Sequence, residues 1–124
     1  MDELSTTSKN KICLLKNNII TNMVIDPQDV GLQRGNISDI QINTKEDAIK
    51  SFVDVLNDTA NKTKIEITAL NAAGGLIVSD IANSFDEAVE LALDTIHSGK
   101  AFDKLKNFVK NCGDMEKLEE VERS

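Results

Sequence analysis

IEITALNAAGGLIVSDIA, residues 65–82, is the longest apolar stretch of the chain, and the fold reads outward from it. Ile65, Ala69, Ala72, Ala73, Leu76 and Ile77 recur at helical spacing, while Leu70 and Val78 add apolar surface on other sides. A helix apolar nearly all round is one that other elements cover. The pattern predicts a central buried helix over residues 65–82. Its length would be about 27 Å, roughly the span of a small domain. Gly74 and Gly75 each cost on the order of 1 kcal/mol of helix propensity at its middle. They are therefore read as a notch where another backbone approaches. A phosphate-cradling loop is the poorer reading, because such glycines stand between a strand and a helix.

Upstream lies KICLLKNNIITNMVI, residues 11–25, with apolar runs on both sides of Asn17-Asn18. Asparagine tolerates the left-handed backbone of a tight turn, so a two-stranded hairpin is predicted here. Asp26-Pro27 ends its second strand, since proline donates no ladder hydrogen bond. Residues 30–42 read as loop, with Gly31 and Gly35 as turn residues and Ile37, Ile40 and Ile42 as scattered anchors. Thr44 then caps a helix whose first turn carries Glu46 and Asp47, charges favourable at that end. Ala48, Ile49, Phe52, Val53, Val55 and Leu56 give it a broad apolar face that should stop near Asn57-Asp58.

Downstream, Ser84-Phe85-Asp86-Glu87 is a capping box, in which Ser and Glu satisfy each other's free amides. Ala88, Val89, Leu91, Ala92 and Ile96 carry the buried side of that helix to a stop at Gly99. A last amphipathic helix over Lys100–Cys112 is expected to pack through Ala101, Leu105, Phe108 and Val109. The tail DMEKLEEVERS is charged and expected to fray, with Leu118 and Val121 allowing one more helical turn. Residues 1–113 thus form the domain and 114–124 a charged C-terminal tail.

With 124 residues the chain holds a single core. A net charge of −7 and a pI near 4.6 exclude a nucleic-acid partner, whose phosphates would be repelled. Four Phe with no Trp or Tyr leave no aromatic surface for stacking bases. Glu66, Thr68, Asn71, Ser79 and Asp80 interrupt the best apolar run, so no membrane span is expected. The polar start MDELSTTSKNK is no signal peptide. Cys13 and Cys112 lack metal-type spacing and read as free thiols in a reducing cytoplasm.

Four polar positions stand out. Taken alone, Asp2-Glu3 is a solvated acidic end. Asn71 sits inside the buried helix and needs partners, which makes it a structural tether ahead of a substrate contact. His97 lies at a helix end, where a cation is favourable. Arg34 is a loop cation that could meet phosphate, with no pattern around it.

The chain resembles the C-terminal part of the anthranilate phosphoribosyltransferase family. MDELSTT looks like the family's magnesium-binding segment, VIDPQDVGL like the segment closing its hairpin, LNAAGGLIVSDIANSFDEAVELA like its Leu-Asn-Ala-Ala-Ala helix and capped successor, and SGKAFDKLKNFV like its terminal helix. The resemblance runs from Met1 to about Gly113. It implies an α/β fold: the hairpin and closing helices of the phosphoribosyltransferase α/β domain, incomplete without upstream strands. It implies transfer of phosphoribosyl from phosphoribosyl pyrophosphate to anthranilate in tryptophan biosynthesis, by a cytoplasmic homodimer. Asp2 and Glu3 would then bind Mg2+ beside the donor's pyrophosphate, because magnesium favours oxygen ligands and needs few carboxylates once phosphate contributes.

The family's glycine-rich donor loop, its Lys-His-Gly-Asn segment and its helical domain have no counterpart here. The expectation is a fragment, inactive alone, with Asp2 and Glu3 on an untethered end and wet apolar helix faces that favour aggregation. Two alternatives remain. One is a relative of the pyrimidine nucleoside phosphorylase type, and the other a non-catalytic protein-interaction module.

Overall fold

A computed structural model describes residues 1–124 and gives the order hairpin, loop, five helices. Strand β1 (Asn10–Lys16) pairs antiparallel with β2 (Ile19–Ile25), from Asn10 opposite Ile25 to Lys16 opposite Ile19. Asn17 and Asn18 take φ of 52° and 61°, the left-handed pair whose twist suits a two-residue hairpin turn. Side chains alternate across the strands. Ile12, Leu14, Met23 and Ile25 pack into the core, whereas Cys13, Leu15, Ile20 and Val24 are exposed. These two strands are the whole sheet. The architecture is thus the expected α/β arrangement of hairpin plus helices.

After β2, Asp26 caps a short 3-10 turn (Pro27–Val30), and Val30 and Leu32 bury their side chains. Helix α1 (Lys45–Leu56) is capped by Thr44, whose hydroxyl accepts the Asp47 N–H at 3.0 Å. It stops where expected. Asp58 takes φ 60°, the Thr59 N–H reaches the Asp54 carbonyl at 2.8 Å, and these close the helix without glycine.

The central helix α2 (Lys62–Val78) starts and ends earlier than the apolar run. Asn61 caps it by accepting the Lys64 N–H at 2.9 Å. At its other end Asp80 adopts φ 60° and the Ile81 N–H reaches the Leu76 carbonyl at 2.9 Å, so Ile81 and Ala82 belong to the exit turn. The helix is also not covered all round. Ile65, Ala69, Leu70, Ala73 and Ile77 are buried, while Ala72, Gly75 and Val78 face outward. The expected notch is smaller than the glycine pair suggests. A Cβ on Gly75 would meet nothing, and one on Gly74 would meet the Leu4 side chain at an ordinary 3.5 Å, with no second backbone close by.

Helix α3 (Phe85–His97) packs along α2 through Ala88 and Val89. Its start differs slightly from a reciprocal box: Ser84 accepts the Glu87 N–H, but the Glu87 carboxylate accepts from Asn83 N–H at 3.1 Å. Ala88, Val89, Ala92 and Ile96 are buried as expected, and Leu91 is exposed.

Helix α4 (Lys100–Cys112) presents a different stripe from the one expected. Phe102 is buried, with Leu105 and Val109 partly so, and Phe108 is 65% exposed. Residues 102, 105 and 109 share a face at the helical period, and residue 108 falls about 120° from 102, off that face. The tail does not fray: Met115–Arg123 forms helix α5, capped by Asp114. Its Leu118 is buried against Val53 of α1 and Phe102 of α4, which holds the end in place. The α1 face is half wet, with Phe52 and Ile49 exposed. Phe52, Val55, Ile40, Ile42 and Ile67 border an apolar groove of about 310 Å³.

Candidate functional site

The first nine residues form neither strand nor helix, yet their backbone is tied at several points. Two asparagines do most of this. The Asn71 side chain, rising from α2, accepts the Leu4 N–H at 2.9 Å and donates to the Leu4 carbonyl at 2.7 Å. The Asn10 side chain, at the start of β1, accepts the Ser5 N–H at 2.7 Å and donates to the Ser5 carbonyl at 2.9 Å. Further along, the Gly35 N–H reaches the Thr6 carbonyl at 3.1 Å. Close approach matters at Gly35, because a Cβ there would collide with the Thr63 methyl carbon. The loop carrying Gly35 is itself held by the buried Glu66 of α2, whose carboxylate accepts the Gln33 N–H at 3.0 Å.

This pinned segment borders a cleft of about 830 Å³. Asp2, Glu3, Ser5, Thr7, Ser8, Lys9, Asn10 and Lys11 line one side, and Asn71, Gly74 and Val78 of α2 line another. The Ser5 and Thr7 hydroxyls lie 2.8 Å apart and the Thr7 N–H donates to Ser5 at 3.0 Å, which shapes the turn. Polar groups therefore dominate the wall. The cleft offers carboxylates to a cation and ammonium groups to an anion, side by side.

Asp2 and Glu3 are exposed at this cleft, and the chain is anchored immediately after them. The expectation of an untethered end is corrected here: the anchor is made by Asn71 and Asn10, whose distant and local partners give no periodic signal. No three His, Cys, Asp or Glu side chains gather, here or elsewhere, to hold a metal by protein ligands alone. Two carboxylates with neighbouring hydroxyls are a hard oxygen set, which suits magnesium when phosphate oxygens and water complete its shell. The donor set fits that ion.

The remaining candidates separate clearly. Asn71 is the tether expected, and its amide also donates to the Ile67 carbonyl at 2.9 Å. His97, the last residue of α3, places Nδ1 at 2.9 Å from the Asp58 carboxylate, which joins the ends of α3 and α1. Arg34 is already engaged: its guanidinium donates to Asp26 at 2.6 Å. That hydrogen bond, with one from the Gln28 backbone, holds the Asp26 carboxyl below its ordinary value. Cys13 and Cys112 are free and exposed. Sequence reasoning passed over Asn10, Lys9 and Lys11, which nothing but their place beside the cleft distinguishes.

Comparison with known proteins covers most of the chain. The profile of the glycosyl transferase family, a/b domain, matches residues 1–102. An anthranilate phosphoribosyltransferase of Nitrosopumilus maritimus is 59% identical over 121 residues, which is 98% of this chain and 35% of that protein. A Cenarchaeum symbiosum protein of the same description is 35% identical over the same shares. One from Bacillus pumilus is 33% identical over 105 residues, or 85% of this chain and 31% of that protein. The chain thus spans about a third of the length of these curated relatives.

Proposed function

The chain belongs to the glycosyl transferase family through the a/b domain that its residues 1–102 match, and from that premise we infer that it forms part of an anthranilate phosphoribosyltransferase. The observation that carries this reading is the 59% identity, over nearly the whole chain, to a protein of that description. In the proposed reaction the amine of anthranilate attacks the ribose C1 carbon of phosphoribosyl pyrophosphate. The C1–oxygen bond to pyrophosphate breaks and the amine gives up a proton. Tryptophan biosynthesis is the pathway.

Within that reaction, Asp2 and Glu3 are the proposed ligands of Mg2+. When bound, the ion supplies positive charge where the departing pyrophosphate accumulates negative charge. Lys9 and Lys11 border the same cleft and lend ammonium groups to an anionic donor. Ser5 and Thr7 shape the turn that follows the carboxylates along the same cleft. The donor loop and the anthranilate contacts are assigned to the portion of the relatives that this chain does not span. A cytoplasmic homodimer is proposed for the assembled enzyme, and two exposed thiols suit a reducing compartment.

A chimera tests this directly. The matching 121-residue stretch of the Nitrosopumilus maritimus relative is replaced by the present sequence. With phosphoribosyl pyrophosphate and Mg2+ added, the anthranilate fluorescence is expected to fall. A folded chimera that leaves that fluorescence unchanged overturns the reading.

A further inference from the structure

We propose that Asn71 and Asn10 are positioning residues for the acidic pair: by gripping the backbone of Leu4 and Ser5 they set where Asp2 and Glu3 present their carboxylates to a divalent cation. This rests on the proposed role of Asp2 and Glu3 as cation ligands.

The geometry is specific. A side-chain amide carries one acceptor and a two-hydrogen donor, so it can bridge the N–H and C=O of a single residue as a neighbouring strand would. Asn71 does this to Leu4 and Asn10 does it to the next residue, Ser5, with all four distances between 2.7 and 2.9 Å. Adjacent residues are therefore fixed from different elements, α2 and β1. Neither asparagine is free to swing. Asn71 is braced on the Ile67 carbonyl of its own helix, and Asn10 is buried beside the Ile25 carbonyl of β2. The Leu4 side chain completes the seat by packing over Gly74.

The acidic pair stands one and two residues before this anchor. Its backbone exit is thus defined although its side chains are exposed. Groups behind the ligands of a metal fix their orientation, and removing such a group lowers metal affinity without removing a ligand. Preorganisation by second contacts is what a site on a nonregular segment requires.

The test is a Mn2+ titration of the chain followed by the paramagnetic broadening of its backbone amide signals. In the unaltered chain, broadening should centre on Leu4 and Ser5 and disappear when Asp2→Asn and Glu3→Gln are combined. Asn71→Ala should need about ten times more Mn2+ for the same broadening. Its helical circular dichroism should be retained. Asn10→Ala, on a different element, should weaken the response in the same way, so a defect confined to α2 does not decide the result. Adding Asn71→Ala to the doubly neutralised chain should change nothing more, because the asparagine acts through the carboxylates. If both asparagine variants titrate like the unaltered chain, the positioning role is overturned and the acidic site stands. If the neutralised chain titrates like the unaltered one, the acidic site itself is overturned and the inference falls with it.

Discussion

The two hydrophobic clusters of this molecule are built differently. The larger one draws Ile25, Val30 and Leu32 from the hairpin and loop, Leu70, Ala73 and Ile77 from α2, Ala82 from the turn after it, and Ala88 and Val89 from α3. The smaller one has a single buried residue from each of three helices, Val53 of α1, Phe102 of α4 and Leu118 of α5. Around the larger cluster, side chains of α2 reach backbone groups 33 and 67 residues away, at Gln33 and Leu4. The smaller one is closed by amphipathic helices whose other apolar residues, such as Phe52 and Phe108, stay exposed. Fully burying one leucine contributes about 1.5–3 kcal/mol, so a cluster three times richer dominates the stability. The cleft lies on the well-tied side, where a segment without regular structure can still be held still. The second cluster serves as a brace.

The strongest challenge to this contrast is Leu70→Ala. Leu70 is fully buried in the larger cluster, and its truncation should cost about 4 kcal/mol in urea unfolding. Leu118→Ala should cost about 2 kcal/mol, because α5 can detach without opening the main core. Hydrogen exchange would sharpen the point, with the added opening confined to α5 and the facing part of α4. Equal losses from the two substitutions would mean one cooperative core and would break the comparison.

The smallest expected effect concerns the pair Asp26–Arg34, at the edge of the larger cluster. The Asp26 carboxyl is held below its ordinary value of 3.8, first by the Arg34 hydrogen bond and then by that of the Gln28 N–H. A depressed folded-state value stabilises the fold above the unfolded value, and that contribution fades as pH falls through the folded one. Arg34→Gln should therefore raise the Asp26 midpoint in an NMR titration of its carboxyl carbon. Stability at neutral pH should barely change, since exposed pairs contribute little. A midpoint unmoved by the substitution would show that the backbone hydrogen bond acts alone.

Much of the fold was legible because much of it is local. The hairpin follows from two asparagines that accept positive φ, and the starts of α1 and α3 follow from Thr44 and Ser84. Each of these acts within about four residues, which is the range that capping and turn chemistry covers. The acidic pair was visible through its resemblance to a family segment, and Asn71 through its awkward place in an apolar helix. Asn10 was invisible, since its bracket around Ser5 depends on how the chain folds back before β1.

The sequence by itself determined where the hairpin turns, where α1 and α3 begin, which helices are amphipathic, and the family to which they compare. Tertiary structure decided which apolar side is covered: Phe102 and not Phe108, Gly74 and not Gly75. It also decided that Arg34 is taken by Asp26 and that Leu4 is gripped by Asn71, across 67 positions. Periodicity marks a face but does not say what will cover it. A hydrogen bond between distant positions exists only once packing has brought its donor and acceptor within reach.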